Sequence, residues 1–271
     1  MLFSVVAFVL LSIESFYSYF TKAYESDVNG SEVYLSVHKS KVKKKVKILI
    51  IGDSVGEQLY NNETYNDDIY SLTCNQAVSM AGQYILLYNF IENNPESLPH
   101  TVLIIMSPVS FTNNLDQVFS FHYFLKPFYK KEYENQLTDT CLTQIHKIPL
   151  YFLSQMPFVL NTNWSPTYSP ATDTTYKFIS PVSCNYLLKI KELCSVKHIL
   201  LRICCPPVKK SNRELNLRYA TSVAEIRETG LEKEFGVYFN DIVFWPDSLY
   251  RDHIHFKKQY IPKDYYHLTG H

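Results

Sequence analysis

The chain has no excess of either charge: 26 Lys and Arg are matched by 26 Asp and Glu. A nucleic-acid-binding surface usually carries a strong basic bias, so the balance argues against that partner class. Glycine is scarce, at 7 of 271 residues, whereas Tyr (22) and Phe (17) are abundant. Low-complexity and disordered chains show the opposite balance, so a packed core is expected. No two cysteines have CxxC spacing, and no His lies at a zinc-finger distance from Cys74, Cys141, Cys184, Cys194, Cys204 or Cys205. A structural metal site is therefore not expected, and nothing calls for a cofactor. Six cysteines are also too sparse to staple a chain of this length, which leaves buried free thiols as the simple expectation.

Long apolar runs are absent except at the start, where residues 2–13 are apolar or small and Phe16, Tyr17, Tyr19 and Phe20 extend the run past Glu14. A signal-peptide core needs about 7–15 such residues and a membrane span about 20, so the segment suits either. No small-x-small cleavage site follows, which favours a retained anchor over residues 1–21 and an extracytoplasmic body. The lysines argue the other way: none precedes the run, while Lys22, Lys39, Lys41, Lys43, Lys44, Lys45 and Lys47 follow it, and positive charge tends to stay inside. A buried helix of a soluble protein is the third reading. Residues 22–45 are polar, without helical periodicity, and read as a linker.

From Val46 the pattern changes. Short β-branched runs at 46–51, 69–73, 101–106, 198–203 and 237–241 read as five strands. Helical spacing lies between them, at Gln76–Asn93, Cys184–Ser195 and Asn212–Thr229, the last placing Leu215, Tyr219, Val223 and Ile226 on one face before a stop at Gly230. Alternation of this kind predicts an α/β fold, a parallel sheet sandwiched between helices, with ligands bound beyond the carboxyl ends of the strands. Residues 111–181 interrupt it with an aromatic-rich insertion, either a lid or substrate platform or a segment with its own small core.

The chemistry-bearing residues sit at the two ends of this body. Ser54 follows the first strand at once, in Gly52-Asp53-Ser54-Val55-Gly56. A serine at a strand-to-helix turn exposes its hydroxyl at the sheet end, with its own N–H at a helix N-terminus where an oxyanion can be held. The hydroxyl needs a base, because unassisted it is a weak nucleophile. Asp252 and His255 supply a D-x-x-H pair in which the carboxylate can orient one imidazole nitrogen while the other faces the serine. Asp264 and His267 repeat the spacing in a Lys- and Tyr-rich terminus and are the weaker candidate. Asp53 reads as a structural turn residue.

The stretch also matches G-x-S-x-G, but in the α/β-hydrolases that elbow follows several strands and the acid and histidine occupy separate loops. A serine closing the first strand, with acid and base sharing one late loop, resembles the SGNH (GDSL-like) hydrolase superfamily over roughly residues 46 to 256. The resemblance implies a three-layer α/β/α sandwich with a five-stranded, mainly parallel, flavodoxin-like sheet, occupying 46–271. It implies Ser54 as nucleophile and oxyanion donor, with Asp252 and His255 completing the triad. The second-block position holds Asn75-Gln76-Ala77, alanine replacing the glycine whose N–H helps hold the oxyanion, so Ala77 is the corresponding donor. The third block, Gly-x-Asn-Asp, is absent, a loss of one donor that can cost on the order of 100-fold in rate. Asn113, Asn114 or an inserted residue is left to compensate.

A weak second block, a missing third block, an apolar N-terminus and an aromatic insertion resemble one branch in particular. It contains membrane-anchored proteins that acylate extracellular polymers, as in alginate O-acetylation and teichoic-acid D-alanylation. The resemblance implies an acyl-serine intermediate, with acetyl as the acyl group, a glycan or acyl-ester substrate, and an acyl-donor membrane protein as partner. Two other readings stay open: a soluble carboxylesterase of the same fold, and an inactive domain that binds polysaccharide.

Overall fold

The computed structural model describes residues 2–20, 28–60, 68–170 and 175–261. Four strands, β1 Ile48–Gly52, β2 Ile69–Ser71, β3 Thr101–Ile105 and β4 Leu200–Cys204, form one parallel sheet in the order β2-β1-β3-β4. Ile48 is in register with Ile69 on one side and Thr101 on the other, and Thr101 with Leu200. The direction of winding reverses between β1 and β3, and that reversal opens a crevice at their carboxyl ends. A parallel ribbon, β5 Val208–Lys209 with β6 Phe244–Trp245, lies apart from the sheet.

The helices are α1 Leu2–Phe20, α2 Ser31–Ser40, α3 Ser54–Leu59, α4 Ser79–Asn93, α5 Lys126–Phe128, α6 Asp139–Lys147, α7 Pro157–Leu160, α8 Pro181–Val196, α9 Arg213–Tyr219, α10 Val223–Glu228 and α11 Glu232–Asn240. Strand residues alternate between two cores. Leu49, Ile51, Val102 and Ile104 face a large core built with α4 and α8. Ile50, Leu103 and Ile105 face a smaller one closed by Val55 and Leu59 of α3 and by Tyr250 and Phe256. The sheet is thus covered on both faces, but one cover is a two-turn helix and a loop.

The fifth expected strand is a correction: residues 237–241 belong to α11 and its cap. Leu231, Phe235 and Tyr238 are buried while Val237 is half exposed, a four-then-three spacing that a five-residue window cannot reveal. The helix expected over 212–229 is two helices, broken at 220–222. Thr221 turns its hydroxyl back onto the Arg218 carbonyl (2.7 Å), competing with the ladder, and both Leu215 and Val223 of the supposed apolar face are exposed. Gly230, at φ +62°, ends α10 as expected. The helix after the insertion starts at Pro181 rather than Cys184, because the Ser180 hydroxyl caps the Ser183 N–H (3.1 Å).

Part of the expected linker is α2, whose buried residues are Val33, Ser36 and Ser40; two of the three are serines, which hides the helical period from an apolar count. Many of the insertion's aromatics do not form a separate small core. Phe121, Phe124, Phe128, Tyr133 and Phe178 join the large core with α4 and the sheet. Helix α1 exposes Phe3, Phe8, Leu10 and Leu11, and among the described residues no helix is long and apolar enough to cross a membrane. All six cysteines are free and at least partly buried, and burial raises each thiol above its ordinary range. None therefore has the thiolate character of a nucleophile.

Candidate active site

The end of β1 is fixed from three directions. A Cβ on Gly52 would lie 1.9 Å from the Ile105 carbonyl oxygen, so only glycine allows the two strands this approach. The Gln83 side chain brackets the same residue, accepting from its N–H (2.9 Å) and donating to its carbonyl (2.8 Å). Asp53, fully buried, then caps α3: Oδ1 accepts from the N–H groups of Val55 (3.0 Å) and Gly56 (3.2 Å). Its Oδ2 accepts from the Ser107 N–H (2.8 Å) and the Ser110 hydroxyl (2.5 Å), tying the nucleophile turn to the loop after β3. Ser54 is the first residue of α3, and its N–H is not among the amides Asp53 caps.

The partner loop closes on itself. Tyr250 and Phe256 form an antiparallel bridge, the Arg251 N–H donates to the His255 carbonyl (2.8 Å), and the two buried rings lie 4.8 Å apart. Inside this turn Asp252 Oδ1 accepts from the N–H groups of Ile254 (2.9 Å) and His255 (2.8 Å), as short acceptor side chains do at turns. Asp252 Oδ2 meets His255 Nδ1 at 2.9 Å, and His255 Nε2 meets Ser54 Oγ at 2.8 Å. Desolvation works to raise the Asp252 carboxyl, but the two backbone N–H groups and the imidazole outweigh it and hold the group well below the usual carboxylate range. An acceptor-only carboxylate puts the imidazole proton on Nδ1 and leaves Nε2 to accept from the serine hydroxyl.

Sequence reading missed the clamp that joins the two ends. Gln58, one turn after Ser54 on α3, accepts from the Phe256 N–H (3.0 Å) and donates to the Phe256 carbonyl (3.3 Å). The helix that begins with the serine thereby holds the residue that follows the histidine. Only its i+4 relation to Ser54 could have signalled it. Gln58→Ala is expected to lower kcat by about 10- to 100-fold, the cost of roughly 1 Å of misplacement, with KM little changed. Steady-state kinetics on an activated ester measure the split.

Of the other expected oxyanion residues, Asn75, Ala77 and Asn113 make local hydrogen bonds, whereas Asn114 accepts from the Val182 N–H (3.2 Å) and its buried NH₂ has no partner. The Ala77 N–H donates to Asn75 Oδ1 (2.9 Å), so these two satisfy one another at the entry to the 3₁₀ turn Gln76–Val78. Asn113 is buried, donating to the Gln76 carbonyl (2.8 Å) and accepting from the Leu115 N–H (2.9 Å), bonds that brace its own turn. Gln76 itself is half exposed and accepts from Ser110 (3.2 Å), which links it to Asp53. The Asp264–His267 pair lies outside the described residues. Among the described residues no cluster of His, Cys, Asp and Glu could hold a metal ion.

Fold and geometry together define an α/β protein with a Ser–His–Asp array at the carboxyl end of a parallel sheet. No known protein family, curated protein or solved structure matches the chain.

Proposed function

We propose that this chain is a serine-dependent esterase or O-acyltransferase of the SGNH type, using Ser54, His255 and Asp252. One observation carries the reading: a hydroxyl and an imidazole separated by 201 positions in sequence meet at 2.8 Å, with the other ring nitrogen on a carboxylate. A β2-β1-β3-β4 order supports the fold assignment, being the first four positions of the flavodoxin-like 2-1-3-4-5 arrangement.

The chemistry follows from the positions. Ser54 Oγ attacks the acyl carbon as its proton passes to His255 Nε2, and Asp252 stabilises the resulting imidazolium. The Ser54 N–H, at the positive end of α3, faces the developing oxyanion. Collapse breaks the acyl C–O bond, and the leaving alcohol takes the proton from His255. Water, or a glycan hydroxyl in the transferase case, then attacks the acyl-serine with His255 again as base. The released product is the free acid or the acylated glycan. The exposed apolar residues of α1 support attachment of the N-terminal segment to a membrane; an extracytoplasmic body and an acyl-donor membrane protein as partner follow from the family resemblance alone.

A fluorophosphonate probe tests the reading. Wild-type protein is expected to be labelled and Ser54→Ala protein to remain unlabelled. A folded wild type that takes no label overturns the enzyme assignment in favour of an inactive, polysaccharide-binding domain.

A further inference from the structure

A pocket of about 110 Å³ lies next to the Asp252–His255 turn; none of the three triad residues lines it, but two of its walls come from segments that hold them. Ser107, Pro108 and Val109 come from the loop after β3, and the Ser107 N–H is held by Asp53 beside Ser54. His253 and Ile254 come from the turn between Asp252 and His255. The far wall is the stretch from β5 into α9.

Three polar side chains of the lining are turned onto backbone. The Asn212 amide donates to the His253 carbonyl (2.8 Å), the Asn216 amide to the Asn212 carbonyl (2.7 Å), and Lys209 Nζ to the Asp252 carbonyl (3.5 Å). Most of the remaining lining is apolar, with Val109, Val208, Leu215 and Ile254; Ser107, His253, Tyr219 and Tyr250 are its other polar residues, and the Tyr250 hydroxyl is buried without a hydrogen-bond partner. A buried sugar ring would need hydrogen-bond partners for several hydroxyls, and each hydroxyl left without one is costly. A hydrocarbon chain needs none. The volume has room for roughly seven to ten water-sized groups, far more than an acetyl methyl occupies.

We infer that this pocket holds the acyl chain of the substrate, and that the chain is a medium-length aliphatic one of about six carbons rather than acetyl. The inference rests on the esterase reading and adds the acyl specificity to it. Leu215 and Val109 then set chain length, the first from α9 and the second from the loop after β3.

A series of 4-nitrophenyl esters, with acetate, hexanoate and dodecanoate as the acyl groups, varies the acyl part alone. Each fully buried methylene is worth about fourfold and hexanoate carries four more than acetate, so wild-type kcat/KM for hexanoate over acetate is expected to be about 100- to 250-fold, with dodecanoate falling off. Leu215→Trp fills the pocket from a position 41% exposed, which a larger ring can occupy without disturbing the core. It is expected to cut the hexanoate-to-acetate ratio by about tenfold. Val109→Ala lengthens the space and is expected to move the optimum towards the longer ester. Opposite shifts from the two variants cannot come from misfolding. Ser54-dependent turnover with acetate equal to or better than hexanoate, or ratios that neither variant moves, would overturn the acyl pocket while leaving the esterase standing. No Ser54-dependent turnover of any ester would overturn both.

Discussion

Replacing His255 by alanine is expected to lower kcat/KM for ester cleavage by about 10⁴- to 10⁶-fold without unfolding the protein. The size follows from the role. Ser54 Oγ has one basic partner at 2.8 Å, and without it the hydroxyl proton has only water to go to. The fold should survive because the His255 side chain is partly exposed and the turn does not depend on it: Asp252 still receives the backbone N–H groups of residues 254 and 255, and the Tyr250–Phe256 bridge is untouched. Asp252→Asn is the companion variant. Its carbonyl oxygen can still accept the two backbone N–H groups, but its NH₂ cannot accept from Nδ1, which favours the wrong tautomer at a cost of about 10⁴ in kcat. Circular dichroism and thermal melting check the fold, and initial rates on an activated ester check the loss. Activity within tenfold of wild type in folded His255→Ala protein would end the serine-esterase account.

What the sequence revealed of this site was its three side chains, because a hydroxyl, an imidazole and a carboxylate are identified by residue type and by place relative to the strands. Gly52-Asp53-Ser54 at the end of an Ile-rich run and Asp252-x-x-His255 near the end of the domain were sufficient for that. The supports were not legible, since they depend on which backbone groups happen to lie near. Gln83 lies 31 positions from the glycine it brackets, and Gln58 lies 198 from the phenylalanine it clamps. Asn113 is a related case: residue type and place leave it either a compensating donor or a structural asparagine, and its hydrogen bonds, which brace its own turn, are invisible in the sequence. The same limit explains the fold. Buried parallel strands are short and uniformly apolar, so β1 and β3 stand out, whereas an aromatic turn of α11 is indistinguishable from a strand until Leu231 and Phe235 are counted with it.

Asp53→Ala is expected to destabilise the protein by about 2–4 kcal/mol, a large part of the roughly 5–15 kcal/mol that holds a domain folded. The Asp53 carboxylate is fully buried and takes four hydrogen bonds, two from the first turn of α3 and two from the loop after β3. Alanine removes the helix cap, worth about 1 kcal/mol, and leaves the Ser107 N–H without an acceptor, at about 1–3 kcal/mol, while the Ser110 hydroxyl can still turn to Gln76 Oε1 at 3.2 Å. Asp53→Asn separates the two halves of this role. Its oxygen can keep the cap on α3, but its NH₂ then meets two donors across the β1–β3 junction, so the loss should fall between wild type and alanine. Urea denaturation followed by fluorescence measures both, and an unchanged midpoint for the alanine variant would mean that the junction is held by packing alone. Catalysis should fall further than stability does, because Ser54 is the next residue. A helix start that is no longer anchored to β3 cannot hold Oγ against His255, and in the surviving folded fraction the loss should appear in kcat rather than KM.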